Sequence, residues 1–233
     1  MHTVAPMPAS RIALVLLGFP AASTLLSLML LDRASLAWTG LDFFTAFWGL
    51  ITLWYLLQIF ILGRVLAGAG WRWRDIGYGF DRRRTGWFVA GYLALGFALV
   101  LLVQLALAQA GSDPDKLRAL SDLSNLTPKT LPQRIVFVFM GLAAGLCEEL
   151  AYRGFAIRAL QGRGIPGWVA VPLAALPFVF QHGIKSLDQF GWFFAWGLVF
   201  GALFLWRKSL VANIVIHWLV ILSAVLAILQ ALR

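Results

Sequence analysis

Uncharged apolar runs of about twenty residues recur along this whole sequence, and that length is what a helix needs to cross the hydrocarbon layer of a bilayer. The clearest runs cover residues 12–31, 43–63 and 87–110. A fourth, 135–160, is interrupted by charges. A fifth, 166–183, opens on Pro166, a residue that loses no hydrogen bond at a first helical position. Runs 190–206 and 209–229 complete the set. The pattern predicts an all-α polytopic transmembrane helix bundle of about seven spans, within a range of six to eight. Composition agrees, because only 12% of the 233 residues are charged and 61% are hydrophobic, whereas a soluble domain carries roughly a quarter charged residues. No soluble domain, low-complexity segment or internal repeat interrupts the pattern, so residues 1–233 read as a single membrane domain. The longest polar connector, 111–134, holds a candidate amphipathic helix at about 117–126. The first run is expected to be an uncleaved helix and not a signal peptide, since it is long and lacks a basic N-terminal cluster.

Net charge is +9, from 19 basic and 10 acidic side chains. With no polar domain to present them, these bases predict membrane orientation and no nucleic-acid partner. Arg11, the arginines between Arg64 and Arg84, Arg153, Arg158, Arg163, Arg207 and Lys208 fall on one side of a seven-span arrangement. The positive-inside rule then puts the N-terminus in the cytoplasm. Trp71-Arg72-Trp73-Arg74 reads as an interfacial anchor, because indole and guanidinium groups both suit the headgroup layer. Cys147, the one cysteine, excludes an intrachain disulfide or a multi-cysteine zinc site and is expected to pack as a small buried thiol.

All the aspartates fall in connectors, while the only two glutamates, Glu148 and Glu149, sit side by side within the fourth run. An ionised side chain at mid-membrane depth costs about 2.5–3.5 kcal/mol on insertion scales, so the pair must be compensated. Arg153 follows Glu149 by four residues, the spacing that places acid and base on one helical face. Glu148 points about 100° away and is left to face a cavity as a general base. The competing reading is a structural ion network joining helices.

Two of the three histidines, His182 and His217, also lie in apolar runs. Together with Glu148 they make either a zinc site with an open water position or a metal-free site in which Glu148 activates water. Straight helices at 1.5 Å per residue put the three at about 20, 24 and 14 Å from their connectors. That spread of about 10 Å is too wide for one site unless helix ends differ in depth or helices tilt. Asn213, one turn before His217, is placed either to serve substrate or imidazole or to bridge helices.

At these residues the sequence resembles the CAAX prenyl protease 2 and bacteriocin-processing (CPBP, or Abi) family of intramembrane proteases. Glu148-Glu149-Leu150-Ala151-Tyr152-Arg153-Gly154 follows its double-glutamate motif, Phe178-Val179-Phe180-Gln181-His182 its second motif, and His217 its third, across a core of about residues 135–220. One position departs: the family commonly has asparagine or aspartate four residues after the last histidine, and here Ile221 stands there. The resemblance implies a membrane endopeptidase cleaving a peptide or protein substrate, with Glu148 and His182 activating water, His217 completing the site, and Glu149 and Arg153 shaping it. It implies a multi-pass protein of a bacterial inner membrane, and leaves zinc dependence and metal-free catalysis both open. The rival functions are a catalytically reduced scaffold that binds a partner membrane protein, favoured by Ile221, and a proton-coupled transporter using Glu148, His182 and His217 as a relay. The lack of an internal repeat weighs against the transporter.

Overall fold

The computed structural model describes residues 5–79, 94, 101 and 128–231, with residues 185 and 223–231 described by backbone alone. The expected span 87–110, apart from two isolated positions, lies outside the described residues. So do the candidate amphipathic helix 117–126 and Arg82 to Arg84. The other six runs are all helical, and the described residues contain no strand. We number these helices α1 (Ala9–Leu30), α2 (Phe43–Gly68), α3 (Leu131–Gln161), α4 (Gly167–Phe180), α5 (Phe190–Arg207) and α6 (Leu210–Ala231). By length and apolarity, α1, α2, α3 and α5 suffice to cross a membrane, whereas α4 has 14 residues. The chain is a helical membrane bundle.

Helix ends follow local chemistry more than hydropathy. The Asp42 carboxylate accepts the Thr45 amide at 3.1 Å and starts α2. Thr130 and Gln133 form a capping box, with Pro132 in the first turn, so α3 begins at Leu131 and not at Ile135. Pro166 is the extended residue before α4, one position earlier than expected, and α4 stops at Phe180. His182 therefore sits in the turn that follows α4 and not inside a span. Gly183 shapes that turn with φ +76°, and a Cβ there would strike Ser27 of α1.

Two stretches widen into π-helix. Leu14–Gly18 does so just before Pro20, whose missing N–H and bulky ring disturb the preceding turn. The second, Glu149–Ala156, begins at the second glutamate of the double-glutamate motif and runs past Arg153, and every residue in it is buried. It lies in α3, the central helix: 61% of its apolar window is buried, against 22–28% for the other three long helices.

Glycines set the closest approaches. Gly141 and Gly145 lie one turn apart on α3, where added Cβ atoms would come within 2.8 Å of Ile221 Cγ2 and 2.7 Å of Trp218 Cδ1 on α6. Gly197 and Gly201 do the same for α5 against Ala175 and Val171 of α4. Small residues at four-residue spacing let membrane helices touch backbone to backbone. This brings α6, and His217 with it, against the acidic part of α3.

One end of the bundle gathers the N-terminal segment, the turn after α2 and the α3–α4 connector. Trp71 Nε1 donates to Ala5 O at 2.9 Å, Arg163 Nη1 donates to Met7 O at 2.9 Å, and the Leu210 amide donates to Gly77 O at 3.0 Å. Trp71 is thus a buried core residue, while Arg72 and Arg74 of the same segment are exposed. The opposite end joins Asp42 to Gln133 at 2.9 Å and Ser27 to the Ile184 amide at 3.0 Å.

Candidate active site

Glu148, at the last turn of α3 before the π-helical stretch, is 1% exposed and borders a cavity of about 590 Å³. Its Oε1 lies 3.7 Å from His182 Nε2, and its Oε2 lies 3.6 Å from His217 Nε2. The spread of depths expected from straight helices disappears because His182 stands beyond the end of α4 and α6 is drawn onto Gly141 and Gly145. Both separations exceed a direct hydrogen bond and suit a bridging water or substrate oxygen.

Each imidazole is oriented through its other nitrogen. His182 Nδ1 lies 3.0 Å from the Phe178 carbonyl, and the ring stacks on Phe193 with centroids 3.8 Å apart. His217 Nδ1 lies 3.0 Å from Glu149 Oε1. Carbonyl and carboxylate oxygens can only accept, which assigns the proton to Nδ1 in both rings and turns both Nε2 atoms towards Glu148.

Glu149 is fully buried and faces a different set of partners. Arg153 Nη1 approaches Oε1 at 3.3 Å, an ion pair whose geometry falls short of a hydrogen bond. The Arg153 guanidinium lies 3.9 Å from the Phe178 ring centroid and 5.5 Å from that of Phe200. Asn213 Nδ2 donates to Glu149 Oε2 at 3.1 Å and to the Phe200 carbonyl at 2.9 Å. Of the two roles expected for Asn213, the geometry is that of a bridge: it ties α6 to α3 and α5, and its donors do not reach the cavity. Glu148, His182 and His217 border the cavity; Glu149, Arg153 and Asn213 form the layer behind it.

Several polar residues come from outside the motifs. Tyr55 on α2 donates its hydroxyl to Glu148 Oε1 at 2.7 Å. Gln58, one turn on, accepts from Cys147 Sγ at 3.3 Å and from Gln181 Nε2 at 3.1 Å, while Gln181 Oε1 accepts from Tyr152 at 2.7 Å. Cys147 is buried, as expected of a packing thiol. Gln58 carried a signal, being an amide in an otherwise apolar run; Tyr55 carried none, since tyrosine is common in such helices. The rest of the cavity wall is largely apolar and aromatic, with Trp48, Trp54, Trp192 and Trp196 in it, and Ile221 is among its apolar residues.

As arranged, these side chains are not gathered into a three-ligand metal cluster. The two histidines address different oxygens of Glu148, and among the described residues no three ligating side chains are gathered closely enough to hold a metal.

Residues 130–223 match the model of the type II CAAX prenyl endopeptidase family, Rce1-like. The match covers these residues and not the rest of the chain. The Rce1-like segment runs from the capping residue of α3 through α4 and α5 into α6, and it contains Glu148, His182 and His217. Tyr55 and Gln58 lie outside it. No curated protein and no solved structure matches the chain. The family whose model matches is one of CAAX prenyl endopeptidases, which are hydrolases, and the matched segment lies within a helical membrane bundle.

Proposed function

We propose that this chain hydrolyses a peptide bond of a membrane-associated protein or peptide, with Glu148 as the general base. The observation that carries this reading is the convergence of His182 and His217 on the two oxygens of one buried carboxylate beside a cavity. A water held between Glu148 and a histidine Nε2 loses a proton to Glu148 as its oxygen attacks the carbonyl carbon. Glu148 then returns that proton to the leaving amine. His182 positions the water, His217 completes the site on the Oε2 side, and Glu149, Arg153 and Asn213 hold His217 in register. The apolar wall excludes bulk water and accepts the apolar part of the substrate. The mechanism uses no metal.

A fluorogenic prenylated CAAX peptide, cleaved by the purified protein in liposomes, is the probe. Glu148→Gln is expected to lower kcat by at least about 100-fold, the scale of a lost general base; equal cleavage by both proteins removes Glu148 from the mechanism. Activity abolished by a chelator and restored by zinc would overturn the metal-free step.

A second reading is supported by Ile221, which places an alkyl side chain on the cavity wall where the motif has a polar one. On that reading the chain is a membrane scaffold that binds a partner protein. Function in cells that survives both Glu148→Gln and His182→Ala would favour it.

A further inference from the structure

Hydrolysis needs a donor for the oxyanion that forms on the substrate carbonyl, and most donors around the cavity are already engaged. Both hydrogens of Asn213 Nδ2 are used, on Glu149 and on the Phe200 carbonyl. Trp54 Nε1 donates to Ser23 at 2.7 Å, and Ser27 donates to the Thr24 carbonyl at 2.7 Å. Gln181 Nε2 gives one of its two hydrogens to Gln58, and the Nδ1 hydrogens of both histidines are taken. Trp48 Nε1 has no partner among the described residues, but it lies seven residues from Tyr55, about 10 Å along α2. The Tyr55 hydroxyl also borders the cavity, and its one partner is Glu148 Oε1 at 2.7 Å, the carboxylate that takes the proton and so the one acceptor that weakens as the oxyanion forms.

We propose that Tyr55 is a catalytic residue, the hydrogen-bond donor to the oxyanion, supplied by α2 from outside the Rce1-like segment. The inference rests on the hydrolytic reading above. In the resting site the phenol donates to ionised Glu148. When Glu148 takes the proton from water, the new O–C bond forms and the C=O π pair moves onto the carbonyl oxygen. Protonated Glu148 is then the weaker acceptor and the oxyanion the stronger one, so the phenol hydrogen bond passes from the carboxylate to the oxyanion. Collapse of the intermediate reforms C=O, breaks the C–N bond and sends the proton from Glu148 to the amine. The phenol loses no proton in the cycle. Its gain is realised only as the intermediate forms, which raises kcat and leaves substrate affinity alone.

Tyr55→Phe keeps the ring and its packing and removes only the hydroxyl. With the prenylated CAAX peptide, kcat is expected to fall about 100- to 1,000-fold while KM stays within about twofold. A fall in kcat of less than about threefold, or a loss carried by KM, overturns the assignment. A binding measurement separates this inference from the hydrolytic reading. A phosphinate analogue of the peptide, which mimics the tetrahedral intermediate, should bind Tyr55→Phe at least about 10-fold more weakly than the parent, and the amide peptide on a Glu148→Gln background should lose less than twofold. Equal losses for both ligands overturn the role of Tyr55, whereas cleavage unaffected by Glu148→Gln overturns the hydrolytic reading instead.

Discussion

Arg153 has no water to retreat to: it is 1% exposed, with its charge held between Glu149 and the faces of Phe178 and Phe200. Removing one member of a buried ion pair strands the other, at a cost of about 3–5 kcal/mol, whereas removing both leaves no uncompensated charge. Arg153→Met is therefore expected to destabilise the protein by that amount, and Glu149→Gln combined with it to recover more than half of the loss. Thermal unfolding of the single and double variants in detergent measures the coupling; additive losses would mean that the pair is not coupled. The Glu149–Arg153 pair was legible in the sequence because four-residue spacing is a property of one helix. The partners of Asn213 were not, because they belong to two other helices. Tyr55 shows the same limit, since nothing within α2 tells which neighbour its hydroxyl meets.

Between α3 and α6 the distance is set by hydrogen atoms at Gly141 and Gly145. A Cβ on Gly145 would stand 2.7 Å from Trp218 Cδ1 and 3.6 Å from His217 Cγ, so Gly145→Ala must push α6 outward. Overpacking of this kind costs about 1–3 kcal/mol. The shift acts on the separation of His217 Nε2 from Glu148 Oε2, now 3.6 Å. A misplacement of about 1 Å can cost on the order of 100-fold in rate, so Gly145→Ala is expected to lower kcat much more than it lowers the melting temperature. Gly49→Ala, where a Cβ meets nothing within 4 Å, is the control; equal activity in the two variants would show that the α3–α6 approach does not hold the site. Six helices could be read from hydropathy, since lipid demands long apolar runs. Their relative depths could not, because the turn after Phe180, the π-helical stretch at Glu149–Ala156 and the glycine contacts each break the straight-helix geometry on which depth is reckoned.

The whole bundle has two chemically different ends. Arg11, Arg72, Arg74, Arg163, Arg207 and Lys208 cluster at the end that holds Ala5, Trp71, Gly77 and Leu210, joined there by Trp71 to Ala5 and Arg163 to Met7. The cavity reaches the other end through Leu30, Leu31, Ile184 and Asp188. We propose that the basic end is cytoplasmic, because Lys and Arg near span ends are retained on that side. The cavity then opens towards the opposite face, and a substrate enters from there. Cysteine labelling in intact cells tests this, since Cys147 is buried and stays silent. Ala5 and Leu187 are both exposed and lie at opposite ends. An impermeant maleimide added outside is expected to label Leu187→Cys in cells whose outer barrier is permeabilised, and to label Ala5→Cys only after the inner membrane is opened. The reverse order would invert the molecule and make substrate entry cytoplasmic.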